Sequence, residues 1–137
     1  MKKQHLFPLL AIVLLASGLA SAQLNQSAIK ANVPFNFMAG KRALPAGEYR
    51  VSSVSDLGVL SLLGADSGPV MTQSFPAQAK APSPVTKLIF HRYGDQYFLS
   101  QIWIEGESSG RELPRTNLEK ELLAKARFNS VAIMAHR

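Results

Sequence analysis

The chain has 137 residues, a formal net charge of +6 from 15 Lys and Arg against 9 Asp and Glu, and no cysteine. The missing cysteine excludes disulfides, a thiol nucleophile, thiolate zinc sites and iron–sulfur clusters. No basic run extends beyond Lys41-Arg42, so the charge pattern argues against nucleic-acid binding and leaves weak attraction to anionic envelope surfaces open.

Residues 1–22 have the three-part layout of a secretory signal peptide. Met1-Lys2-Lys3 is basic, Leu6 to Leu15 is apolar, and Ala20-Ser21-Ala22 is a small-residue cleavage site. An uncleaved anchor is the alternative, but it needs roughly 20 mainly apolar residues. We therefore expect export to the periplasm or beyond, followed by one domain over residues 23–137. No later window of the sequence is apolar and long enough to predict a membrane span.

The first predicted strand runs from Ile29 to Phe37, where apolar and polar residues alternate. Pro34 lies on its polar side and cannot donate to a ladder, so we expect an edge strand. After the turn residues 44–47, Tyr49 and Val51 predict a second strand with one apolar face.

Two more strands are predicted before a proline-rich segment. Val59 to Leu63 is apolar enough for a central strand covered on both faces, and Val70 to Phe75 indicates a further strand. Residues 76–84 contain three prolines and no large apolar side chain, so they predict an extended connection.

The strongest structural signal is a hairpin formed by Thr86 to Tyr93 and Gln96 to Ile104 around Gly94-Asp95. A two-residue loop predicts the pairs Arg92–Tyr97, Phe90–Leu99, Leu88–Gln101 and Thr86–Trp103 on one face, and His91–Phe98, Ile89–Ser100 and Lys87–Ile102 on the other. Both faces carry polar and apolar residues, so the pattern does not decide which face is buried. A one-residue change in the length of the loop would shift the register.

One helix is predicted near the C-terminus. Thr116 and Glu119 match a capping box, in which each side chain accepts a hydrogen bond from the other residue's backbone N–H. The apolar stripe comprises Leu118, Leu122, Leu123 and Ala126. Residues 131–135 form either a final strand or a frayed helical tail.

These elements predict an all-β, mainly antiparallel single domain. It is either a β-sandwich or a small barrel of about seven strands, and the amphipathic helix covers an edge or an open end.

Three blocks of sequence resemble an uncharacterised family of small secreted bacterial proteins. They are Val33-Pro-Phe-Asn-Phe37, Leu44-Pro-Ala-Gly-Glu-Tyr49 and Lys87-Leu-Ile-Phe-His-Arg-Tyr-Gly-Asp-Gln-Tyr-Phe-Leu99. Gly110-Arg-Glu-Leu-Pro114 and the following helix are also similar to it, so the resemblance covers about residues 33–127. It implies a bacterial exported β-rich domain, and it implies no activity, cofactor or site residue.

The hairpin aromatics are the main candidates for a ligand surface. Tyr and Trp combine a large apolar body with a polar group, so they can stack on sugar rings or line a barrel cavity, although the core of a small β domain needs the same residues. Arg92 beside Tyr93 could bind an anion or make a cation–π contact with Tyr97. The candidate set is Phe90, Arg92, Tyr93, Tyr97 and Trp103.

No catalytic, cofactor or metal site is predicted. Residues 106–110 match G-x-S-x-G around Ser108, but a nucleophile elbow requires a strand, a sharp turn and a helix. After cleavage only His91 and His136 remain, without metal-ligand spacing. Glu105 and Glu107 would share a face of an extended strand, but a solvated strand end accounts for two such carboxylates without a catalytic role. Residues 25–27 match a glycosylation sequon in form only.

The function that the sequence favours is a non-enzymatic binding or envelope-structural module. The alternatives are a barrel that binds a small ligand through the hairpin aromatics and, less favoured, a small hydrolase with clustered polar residues in a cleft.

Overall fold

The computed structural model describes residues 28–137, so the predicted signal peptide and the sequon lie outside the described residues. Within this range the chain forms eleven strands and one helix, α1 (Asn117–Lys125). No helix in the described range is long and apolar enough to cross a membrane. The strands are β1 (Ile29–Val33), β2 (Phe37–Ala39), β3 (Arg42–Leu44), β4 (Gly47–Ser53), β5 (Val59–Gly64), β6 (Val70–Gln73), β7 (Phe75–Gln78), β8 (Lys87–Tyr93), β9 (Gln96–Trp103), β10 (Ser109–Glu112) and β11 (Asn129–His136).

The strands form one sheet that nearly closes into a barrel. Its order is β3-β2-β9-β8-β11-β1-β4-β5-β6, and β10 pairs with both β9 and β7. Because β7 follows β6 after a single residue, β10 links the β6 end of this order to β9, while β2 and β3 continue the sheet beyond β9. All paired strands are antiparallel except β2 and β9. The predicted all-β class with one C-terminal helix is confirmed, and the architecture is a nearly closed barrel rather than a sandwich, with eleven strands in residues 28–137 instead of about seven.

The prediction of an edge strand at Pro34 is wrong. The alternating segment splits into β1 and β2, and β1 lies in the middle of the sheet between β11 and β4. Pro34 comes directly after β1, where its missing N–H ends the ladder. The next strand, β2, pairs with β9 instead of β4 and β11, so Pro34 marks the point where the chain changes its pairing partner and not an edge of the sheet.

Two further boundaries differ from the prediction. The strand expected over residues 70–75 is divided at Ser74 into β6 and β7, and β7 extends into the proline-rich segment. Pro76 is tolerated there because β7 pairs on one side only, with β10. β5 is central as predicted, but Leu63 is 43% exposed, so the outer face of β5 is not covered near the C-terminal end of the strand.

A β-bulge in the hairpin explains its mixed faces. The two-residue loop is confirmed, and Arg92 lies opposite Tyr97 and Phe90 opposite Leu99. The register then shifts between Ile89 and Phe90, which leaves Ser100 as the extra residue of β9. From there on, Leu88 faces Ile102 and Lys87 faces Trp103, so the apolar residues return to the inner face.

The barrel interior is filled by a cluster of aromatic and aliphatic side chains. Phe90 is completely buried, and its ring packs edge-on against Phe35 at 5.0 Å and against Phe37 at 5.3 Å between centroids. Phe37 in turn packs edge-on against Tyr49, whose hydroxyl donates to the Pro45 carbonyl. These contacts join β8, β2 and β4 across the interior, which makes this cluster the main core.

A hydrogen-bonded clamp holds the closure between β6, β7 and β10. Arg111 donates from Nε to the Ser74 hydroxyl and from one terminal nitrogen to the Ser74 carbonyl, both at 2.8 Å. The Ser74 hydroxyl donates to the Gly58 carbonyl at 2.6 Å. Hydrogen bonds from a charged donor are the stronger kind, so Arg111 fixes the point where the sheet bends to close.

The C-terminal segment confirms one prediction and corrects another. Residues 131–135 belong to β11, which pairs with β8 and β1. α1 begins after Thr116, whose hydroxyl accepts from the Glu119 N–H at 3.2 Å, as the capping box predicts. The apolar stripe does not pack inward, however, because Leu118 is 42% and Leu123 is 37% exposed. The buried residue of the helix is Glu119.

Candidate functional site

The five predicted ligand residues lie in different environments. Phe90 is in the barrel core, and Trp103 is buried on the outer face, where its indole N–H donates to the Gln101 side chain at 3.0 Å. Tyr97 is half-buried and stacks on Phe35 with 3.7 Å between centroids. The structure therefore does not bring the five side chains together as one surface.

Arg92 and Tyr97 are the two members of the set that remain in contact near solvent. The guanidinium carbon of Arg92 lies 5.6 Å from the centre of the Tyr97 ring, and Nε of Arg92 donates to the Gly94 carbonyl at 2.7 Å. This is the cross-strand cation–π contact that the sequence offered as the alternative to anion binding.

Tyr93 belongs to a second packed layer on the outside of the barrel. Its ring packs edge-on against Phe98 at 5.6 Å and lies 5.7 Å from Phe128. Phe128 also stacks on His91, with 3.9 Å between ring centroids. The chain after β10 thus covers part of the outer face of β8 and β9, and Tyr93 and Phe98 are buried beneath it.

A buried carboxylate organises this layer. Glu119 is 4% exposed, and its Oε2 accepts from the Tyr93 hydroxyl at 2.8 Å and lies 2.9 Å from Nδ1 of His91. Nε of Arg115 lies 3.5 Å from the same oxygen. Because Glu119 is held by two side chains of β8, its carboxylate cannot return to the Thr116 N–H, and the second half of the capping box does not form.

The environment of the cluster shifts two pKa values in opposite directions. Burial raises the pKa of Glu119, but the hydrogen bonds from His91 and Tyr93 and the charges of His91 and Arg115 outweigh it and leave the pKa below its usual value. Burial, then the hydrogen bond and charge of Glu119, raise the pKa of Tyr93 to about 12. Near neutral pH the cluster therefore holds a carboxylate and a neutral phenol.

An open cleft of about 280 Å³ lies beside this cluster. Phe75, Leu113 and Pro114 form its apolar wall. Its polar wall is formed by His91, Ser100, Glu112, Arg115 and Lys120. Nδ1 of His91 is occupied by Glu119, so the imidazole that lines the cleft is held in one orientation, and two cationic side chains flank it.

Ser100 lies in this wall on the same face of the hairpin as His91, and it is the extra residue of the bulge in β9. Its carbonyl accepts from the Leu113 N–H at 2.8 Å, which holds the segment after β10 against the barrel. Among residues 28–137 its hydroxyl makes no hydrogen bond to His91. A serine nucleophile needs a base within hydrogen-bond reach. Serine, histidine and glutamate, the residue types of a hydrolase triad, are therefore present at the cleft, but the hydrogen bond between Ser100 and His91 is not.

The other features considered in the sequence do not form a competing site. Ser108 is exposed in the connection between antiparallel strands β9 and β10, rather than in a strand-to-helix elbow. A second cleft of about 310 Å³ contains His136 and Glu105, but both side chains are exposed. Residues 28–137 contain no group of three His, Asp or Glu side chains placed to hold a metal ion.

Sequence reasoning missed the central role of Glu119. It identified Glu119 as a capping residue and His91 as a histidine without metal-ligand spacing, and the two are 28 positions apart. In the predicted amphipathic pattern Leu118 faces inward, which places Glu119, the next residue, on the solvent side of the helix. Nothing local in the sequence reveals that the carboxylate side of this helix faces the barrel.

We expect alkaline pH to destabilise the protein through Tyr93. The unfolded phenol ionises near pH 10, whereas the folded one resists ionisation up to about pH 12, so stability from this group is complete below pH 10 and declines as the pH rises towards 12. Tyr93→Phe should be less stable than the wild type at pH 8, and the difference should shrink above pH 10. Urea unfolding of both proteins between pH 8 and 11.5 measures it; a constant difference would contradict the assignment.

Comparison of the chain with protein-family models, with curated proteins and with solved structures finds no match.

Proposed function

We propose that this protein is an exported, non-enzymatic binding module whose ligand is a small organic anion, and that the ligand occupies the cleft beside His91. The observation that carries the proposal is the composition of the cleft wall. Arg115 and Lys120 supply positive charge, while the imidazole of His91 is positioned by the buried carboxylate of Glu119. Cationic donors that converge on a concave surface favour a carboxylate or a phosphate group.

The apolar wall defines the rest of the ligand. Phe75 is 53% exposed at the cleft, and Leu113 and Pro114 lie beside it. A volume of about 280 Å³ is near the lower end for ligand pockets, so the ligand has a compact apolar body next to its acidic group. Glu112 in the same wall repels a second negative charge, which favours a monoanion over a polyanion.

Export is supported by the sequence of residues 1–22, with its basic start, apolar run and small-residue end. We expect the mature protein to begin at Gln23, because cleavage follows Ala22. Intact-mass measurement on protein recovered from the medium or the periplasm of a bacterial host tests this expectation. Recovery of the full 137-residue chain from the membrane fraction would instead support the uncleaved anchor.

We expect the protein to bind the monoanion benzoate and not the neutral analogue benzyl alcohol. Binding should shift the ring resonances of His91 in NMR spectra. Lys120→Gln should weaken binding about tenfold or more, because a hydrogen bond to a charged group is lost. Lys125→Gln is the matched control, since it removes the same charge from the same helix but from a residue that does not line the cleft.

Two outcomes would overturn the proposal. If both lysine variants weaken binding equally, the probes respond to net charge rather than to the cleft. If the protein hydrolyses an ester such as p-nitrophenyl acetate, and Ser100→Ala abolishes that turnover, the cleft is a catalytic site of the hydrolase type. The Ser100 hydroxyl in the cleft wall makes this second test specific.

A further inference from the structure

The fold brings basic side chains that are far apart in sequence into one row on the outside of the barrel. Lys30 of β1 lies directly opposite Arg50 of β4 and, on its other side, directly opposite His136 of β11. The flanking residues Ala31 and Tyr49 are buried in the core, so by strand alternation Lys30 and Arg50 face outward. Neighbouring strands are about 4.8 Å apart, which makes this row a compact basic surface.

This row is unfavourable for folding by itself. Like charges directly opposite each other on adjacent strands destabilise a sheet. Within residues 28–137, neither Lys30 nor Arg50 has a carboxylate oxygen within 4.0 Å. The nearest acidic residue along β4 on this face is Glu48, which lies opposite Asn32. Lys30 and Arg50 therefore repel each other without a carboxylate of residues 28–137 in contact with either, whereas Glu105 lines the same cleft as His136.

Exposed apolar side chains lie at both ends of the row. Leu63 of β5 is directly opposite Arg50 and is 43% exposed. Met134 of β11 lies two residues before His136, on the same face, and is 60% exposed. The surface thus combines cations that attract anionic groups with apolar side chains that are partly exposed to solvent.

We infer that this face, defined by Lys30, Arg50, His136, Leu63 and Met134, docks the protein on an anionic lipid surface. Long basic side chains can reach lipid phosphates, and the flanking Leu63 and Met134 can enter the headgroup region. A linear acidic polysaccharide would use the same cations, but binding of sugar rings usually adds aromatic platforms, and the row has none. The docking face is separate from the cleft on β8, β9 and α1.

The test compares binding to vesicles of phosphatidylglycerol and of phosphatidylcholine by sedimentation at low salt. The wild type should bind the anionic vesicles only, and added salt should release it. The double variant Lys30→Gln/Arg50→Gln should bind roughly 30-fold more weakly. Each basic residue near an anionic membrane contributes a similar gain in binding affinity, and this variant loses two of them. The matched control is Lys41→Gln/Arg42→Gln, which removes two exposed charges from the β2–β3 hairpin.

Each alternative result contradicts the inference in a different way. Equal losses in the two double variants would mean that net charge alone causes adsorption. Undiminished binding in Leu63→Ser/Met134→Ser, together with tight binding to dextran sulfate, would identify a linear polyanion as the partner. No binding to anionic vesicles at low salt would exclude the lipid surface. Lys120→Gln should leave vesicle binding intact, so failure of the cleft proposal is distinguishable from failure of this one.

Discussion

Replacing Phe90 with alanine should lower the free energy of unfolding by about 3–5 kcal/mol, the usual cost of truncating a buried phenylalanine. Phe90 is completely buried, and its ring contacts both Phe35 and Phe37. Removal of the ring leaves a cavity where β8 meets β2, and the rigid strands around it cannot collapse to fill it. A small domain has only about 5–15 kcal/mol of stability in total, so the variant should be close to unfolding at 37 °C.

This substitution also decides between the two roles that the sequence offers for Phe90. Phe75→Ala is the matched control, because Phe75 is 53% exposed at the cleft and its truncation should cost little stability. Chemical denaturation measures both variants, and NMR titration with benzoate measures their binding. If the residue belongs to the core, its alanine variant has a lower free energy of unfolding. If the residue contacts the ligand, its alanine variant has a lower affinity for benzoate. Unchanged stability in Phe90→Ala would contradict the packing described above.

The second large effect is expected for Gly58→Ala at the barrel closure. Gly58 has φ of 87°, a region that an alanine rarely adopts. An added methyl group would meet the Arg111 guanidinium and lie 2.5 Å from the Ser74 carbonyl oxygen. The variant must therefore strain the backbone and displace the clamp, at a combined cost of about 3 kcal/mol or more.

A second glycine separates these two costs. Gly94 also has a positive φ, of 59°, but a methyl group there would meet nothing within 4 Å. Gly94→Ala should therefore lose only the backbone contribution, about 1 kcal/mol. Urea unfolding gives the difference, and amide exchange should be faster in β7 and β10 of Gly58→Ala alone. Equal destabilisation in the two glycine variants would show that Arg111 and Ser74 contribute nothing to the closure.

The hairpin shows which structural features can be predicted from local sequence patterns and which cannot. The loop of two residues and the register from Tyr93 back to Phe90 follow from turn chemistry and alternation, and both are confirmed. The bulge at Ser100 reverses the faces beyond it, which makes both faces of the hairpin mixed in the sequence. Its position could not be predicted, because mixed faces also fit a different loop length or register. Alternation places Ser100 on the same face as His91, but the cleft wall also needs Leu113, Pro114 and Arg115, which only the tertiary structure brings to this face.

The same limit applies to α1. Its start at Thr116 is a local property of the backbone and was predicted correctly. The face that it buries depends on what lies opposite, and β8 offers His91 and Tyr93 as donors. Two hydrogen bonds and a nearby guanidinium compensate the desolvation of Glu119, so the helix packs through its carboxylate instead of through Leu118.

The sequence by itself determined the β-rich class, the positions of the hairpin, the final helix and most strands, and the lack of any cysteine chemistry. These features depend on residues that are neighbours in the chain, where hydrogen-bonding geometry and hydrophobic periodicity act over a few positions. Only the tertiary structure decided that the sheet nearly closes into a barrel, that Glu119 contacts His91, and that Lys30 lies between Arg50 and His136. Those contacts arise from strand order and register, which are set by packing of the whole core.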